Sequence, residues 1–127
     1  MSQYEAGVCN IGPSEVARRR QVAYLGGALY ALFVAVAIFK NFSSVTTISA
    51  LFPALIFSVG FIQSRRKFCL AYGLMGSFNF AKLGSLTQVQ DQMSLKADRS
   101  TALSILAQSL GLALLLACVA IALNITL

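Results

Sequence analysis

Three long stretches of the chain carry no charge, and short polar or basic blocks separate them. They run from Val22 to Phe39, from Val45 to Ile62 and from Ser100 to Leu127. An α-helix needs roughly 20 apolar residues to cross a bilayer core about 30 Å thick, and each stretch comes close to that or exceeds it. The polar blocks set the helix ends. Gly12-Pro13 followed by Ser14 and Glu15 makes a helix start. Proline fits the first turn because its missing N–H has no partner to lose there, and Glu15 complements the positive end of the helix dipole. Lys40-Asn41 closes the first span, and Asn41-Phe42-Ser43-Ser44 turns the chain. Pro53 falls inside the second span, where a membrane helix tolerates it as a kink. Gln63-Ser64-Arg65-Arg66-Lys67 ends that span, and Asp98-Arg99-Ser100-Thr101 leads into the third with Ser100 or Asp98 as cap. The pattern predicts helices over about 14–40, 44–64 and 99–125.

The segment between the second and third spans reads less simply. Residues 68–84 are moderately apolar but include Tyr72, Asn79 and Lys82, with glycines at 73, 76 and 84. They suit either a fourth crossing or a re-entrant, interfacial segment. Residues 85–97 are polar with Leu86, Val89, Met93 and Leu95 near helical spacing, which predicts a short amphipathic surface helix. Charge favours three crossings. With three, Arg18, Arg19, Arg20, Arg65, Arg66, Lys67, Lys82, Lys96 and Arg99 share one side, and only Lys40 lies on the other. With four, the balance drops to about six against four. The positive-inside rule then puts the N-terminus in the cytoplasm.

Composition agrees with the pattern. Of 127 residues, 57% are hydrophobic and only 11% charged, and a soluble domain of this size could not bury so much apolar surface. The expected fold is all-α: a small polytopic membrane helix bundle forming one integral membrane domain over 1–127. The net charge of +6 comes from blocks beside apolar spans, so anionic lipid headgroups on the inner face explain it better than nucleic acid, for which no motif is present. Arg18, Arg19, Arg20, Arg65, Arg66 and Lys67 are the expected headgroup anchors. No cleavable secretory signal is expected, because the first apolar span follows a polar, arginine-ended segment and is too long for a signal core.

The residue inventory narrows the chemistry. The chain has no histidine, its three cysteines are dispersed at 9, 69 and 118, and its four acids lie outside the three apolar spans. Neither a His-based catalytic pair nor a mixed Cys/His metal site can form. No metal, no cofactor and no enzymatic activity are expected. Cys9 and Cys69 fall near the same membrane face and form a candidate thiol pair.

What remains is packing and binding. Ala23, Gly27, Ala31 and Ala35 recur every fourth position on the first span, Ala50, Ala54 and Ser58 on the second, Cys69, Gly73, Ser77 and Ala81 in the segment between, and Ala107-Gly111 and Ala113-Ala117 on the last. Residues four apart share a helix face, and small ones let helices approach closely in lipid. Tyr72, Phe78, Asn79 and Phe80 with their neighbouring glycines suggest a ligand contact, and Gln108 suggests a polar contact between helices. The leading expectation is a structural or accessory subunit packed against other membrane-protein subunits. The alternatives are a homo-oligomeric pore or small-solute carrier, and a lipid- or quinone-binding module.

Overall fold

A computed structural model describes residues 4–80 and 87–127. It is mostly helical, with three helices long and apolar enough to cross a membrane. Helix α1 is Pro13–Phe39. The second span is continuous over Ser44–Arg66: a short helix α2 (Ser44–Thr47), a 3-10 turn (Ile48–Ala50) and helix α3 (Leu51–Arg66). The 3-10 turn sits where Pro53 makes it necessary, since Pro53 has no N–H to give the carbonyl four residues back and its ring crowds that carbonyl. A six-residue helix α4 (Leu70–Met75) follows. Strand β1 (Ser77–Phe78) then pairs antiparallel with β2 (Thr87–Gln88). Helix α5 runs Gln92–Thr126. Its 35 residues span about 52 Å, well beyond a bilayer core, so one end must project.

Helices α1 and α3 pack through glycine. A β carbon on Gly26 would stand 2.3 Å from the Phe57 backbone nitrogen, and one on Gly60 would stand 2.7 Å from that of Ala23. Neither position has room for any side chain. Two apolar clusters close the bundle. Phe68, Ala102 and Ile105 pack with Ile62 and Leu70 at the basic end, and Val34, Ala50 and Ala120 pack with Tyr30, Phe33 and Ile38 toward the other. At that far end Asn124 Nδ2 donates to the Phe42 carbonyl at 2.6 Å, tying α5 to the first turn between spans.

Between the second and third spans the described residues contain no crossing helix. Residues 68–80 hold only the short α4 and a strand, and a six-residue helix covers about 9 Å, too little to cross a bilayer. Residues 81–86, including Lys82 and Gly84, lie outside the described residues. The separate amphipathic helix expected over 85–97 is replaced by β2 and the opening turns of α5. The reason is local: Asp91, not Asp98 or Ser100, caps α5 by accepting from Ser94 N. Asp98 is thereby carried into the helix and faces inward.

Candidate functional site

The polar side chains gather at the basic end, where an N-terminal arm (residues 4–12), α4, the strand pair and the first turns of α5 form a cap on the bundle. Asn10 joins them. Its Oδ1 accepts from Cys69 N at 2.6 Å and its Nδ2 donates to the Cys69 carbonyl at 3.2 Å. The backbone of Asn10 also donates to the Lys67 carbonyl at 3.1 Å and accepts from Asn79 N at 2.9 Å. One buried asparagine therefore holds the α3–α4 turn and the strand segment together. Gly12 N adds a bond to the Asn79 carbonyl at 2.8 Å.

Beside it lies a charged network. Glu15 is only 2% exposed. Its Oε1 accepts from Arg19 Nη1 at 2.6 Å, and its Oε2 accepts from Tyr72 Oη at 2.6 Å and Asn79 Nδ2 at 3.0 Å. Arg19 reaches on to Cys69 Sγ at 3.0 Å and lies over the Tyr72 ring. A buried carboxylate is tolerable only with such charge-assisted partners. A second acid, the fully buried Asp98, accepts from Tyr4 Oη at 2.5 Å and from Gly7 N at 2.7 Å. Thr101 Oγ1 donates to the Gly7 carbonyl at 2.7 Å, and the Tyr4 ring stacks on Phe78 with centroids 4.5 Å apart. Burial, with the hydrogen bond to Glu15, pushes the Tyr72 hydroxyl above the usual tyrosine range. Burial and Asp98 do the same to Tyr4. Burial and then the Glu5 charge push the Cys9 thiol up, which favours the thiol over the nucleophilic thiolate.

The sequence-derived candidates are distributed as follows. Tyr72 and Asn79 are brought together, but on Glu15. Phe78 stacks on Tyr4, and Phe80 lies 6.1 Å from Phe78 between ring centroids. Part of the aromatic cluster expected to offer a ligand surface is thus used inside the cap. Gln108 is exposed and accepts from Arg66 Nη1 at 3.4 Å, a long contact that links α3 to α5. Cys9 and Cys69 are not joined in a disulfide, and Cys69 is turned to Arg19. Arg18, Arg20, Arg65 and Lys67 are exposed, Arg66 is half-buried, and Arg19 turns into the network. Of the small-residue stripe, Ala23 is buried against α3 and Gly27 sits near the Phe57 ring, whereas Ala31 and Ala35 are exposed. The contact within the chain follows 23 and 26, the spacing of three and four residues usual for antiparallel helix pairs, rather than a strict step of four.

Asn10, Glu15, Tyr4, Asp98 and Gln63 escaped the sequence reading as site residues. Only the Glu15–Arg19 pair left a signal, its four-residue spacing on one helix face. Among the described residues no cluster of three or more His, Cys, Asp or Glu could hold a metal ion. Comparison with protein-family models, curated proteins and solved structures finds no match for this chain.

Proposed function

We propose that this integral membrane protein crosses the bilayer three times with its cap in the cytoplasm, and that it serves as a structural accessory subunit packed against a larger membrane protein. The observation that carries the reading is a pair of small-residue faces that the bundle itself leaves uncovered. Ala31 and Ala35 on α1 are exposed, as are Ala107 and Gly111 on α5, and a β carbon on Gly111 would meet nothing within 4 Å. The chain's own close approach is made elsewhere, at Gly26 and Gly60. Small residues on a lipid-facing surface permit a second helix to approach its backbone, the main source of helix association where no hydrophobic drive exists. The nine-to-one charge bias supports the cytoplasmic cap. The buried acids Glu15 and Asp98 are bonded to Tyr72 and Tyr4, and the reading gives the chain no reaction of its own.

Purification from the native membrane in mild detergent tests it. A larger membrane protein in fixed stoichiometry is the expected result, and Ala31→Leu with Ala35→Leu should release the chain from it without unfolding it. A clean homo-oligomer would overturn the reading in favour of a pore or carrier.

A further inference from the structure

Where the first turns of α1, the last turns of α3 and the start of α4 meet, a cavity of about 380 Å³ opens to the surface, with Arg18, Arg19, Gln63, Val22, Val59 and Leu70 among its walls. A neighbouring hollow of about 360 Å³ shares Arg18 and Val22 with it and continues to Leu25. The walls are ordered by depth. Arg18, Arg19 and Gln63 stand at one level. Val22 lies about one turn deeper on α1 and Val59 about one turn deeper on α3, as their antiparallel packing through Gly60 and Ala23 requires.

The polar level has unspent donors. Arg18 is exposed and has no ion-pair partner among the described residues. Arg19 gives one N–H to Glu15 and one to Cys69, out of the five a guanidinium carries. Gln63 is 8% exposed and its Oε1 is committed to Leu70 N at 2.7 Å. Its amide nitrogen makes no hydrogen bond among the described residues and is not an enclosed atom, so it is a donor open to the cavity. Two guanidinium groups and an amide N–H₂ match a phosphate diester in charge and in donor geometry. Gln21 aside, the deeper walls Val22, Leu25 and Val59 are apolar and suit an alkyl chain better than a small soluble anion.

We propose that this cavity binds one anionic phospholipid of the inner leaflet, its phosphate between Arg18, Arg19 and Gln63 and an acyl chain along Val22, Leu25 and Val59. The site rests on this end of the bundle lying at the membrane surface, and it is independent of the accessory-subunit reading.

Native mass spectrometry of the full chain in a neutral detergent tests the proposal with three probes: phosphatidylglycerol, phosphatidylcholine and inorganic phosphate. One phosphatidylglycerol per chain should be retained in preference to phosphatidylcholine. Arg18→Gln should lower its affinity about tenfold, the order expected when a charge-assisted hydrogen bond to the phosphate is lost. Arg20→Gln removes an exposed cation from the same turn, outside the cavity, and should leave the affinity unchanged. Equal retention of both lipids, or equal losses in the two arginine variants, would overturn the site. So would saturable binding of inorganic phosphate without lipid, which would make it a site for a soluble anion. Resistance of the chain to alkaline extraction from membranes is measured alongside. Its loss would refute the membrane placement itself, a failure distinct from that of a membrane-retained chain that shows no lipid preference.

Discussion

Glu15 and Tyr72, 57 residues apart, meet through a 2.6 Å hydrogen bond at the basic end of the bundle, with Arg19 on the other oxygen of the same carboxylate. Removing the carboxylate strands a half-buried guanidinium together with two donors, Tyr72 Oη and Asn79 Nδ2. Glu15→Ala should therefore cost about 3 kcal/mol, the order found when one partner of a buried ion pair is deleted. Glu15→Gln keeps an acceptor for Tyr72 and should fall between the two. Denaturant unfolding in mild detergent measures both, and equal stability of Glu15→Ala and the unsubstituted chain would refute the network's role.

The two capping tyrosines set an alkaline limit. Their hydroxyls are raised in the folded chain by burial and by Glu15 or Asp98, so folding favours the neutral phenol. Their contribution to stability is complete below about pH 10, where an unfolded tyrosine ionises, and is lost as pH rises from there through the higher native values. Tyrosinate absorbance of the folded protein should trail that of the unfolded chain in an alkaline titration. Tyr4→Phe and Tyr72→Phe should each remove one late-ionising group.

Glycine tolerance should differ sharply by position. At Gly26 a methyl group would collide with the Phe57 backbone, at Gly27 it would meet only the edge of the Phe57 ring at 3.3 Å, and at Gly111 it would meet nothing. Gly26→Ala should destabilise by about 1–3 kcal/mol, as overpacking does, while Gly111→Ala should be neutral or slightly stabilising. Thermal unfolding of the two variants in detergent checks the order.

Asn10 offers a local test of the cap. Asn10→Ala deletes both amide bonds to the Cys69 backbone and leaves Cys69 N buried without an acceptor, a loss of about 1–3 kcal/mol confined to the cap. Limited proteolysis should then cut near residues 4–12 while the three long helices stay protected. A variant as resistant as the parent would show that the arm is held by other contacts.

Crossing number is open to a simple assay. A reporter fused after Leu127 should lie on the opposite side of the membrane from one fused ahead of the arm. Reporters on the same side would require an even number of crossings and refute the three-span proposal.

The long helices were legible because lipid imposes a crude, local rule: a run of residues without charge must be helical. Gly12-Pro13 gave a true start for the same local reason. Asp91 capped α5 seven residues before Asp98, so Asp98 lies two turns inside the helix on its buried face instead of at the helix end. The cap was not legible, since Glu15–Tyr72, Asn10–Cys69 and Tyr4–Asp98 join residues 57, 59 and 94 positions apart. Ala31 and Ala35 shared a spacing with Ala23, but one interface follows helical geometry, and that geometry picks Gly26.

The arm's bonding pattern also dictates an order of events. Residues 4–12 leave the ribosome before their distant partners, yet the bonds that fix them to the cap are to Lys67, Cys69, Asn79, Asp98 and Thr101. Until those residues have been synthesised the arm cannot dock on the cap, and by then α1 and α3 have already emerged. Closure of the cap is therefore a late step in biogenesis, and a quality-control factor or protease that recognises the loose arm would be reading whether the rest of the chain has been made.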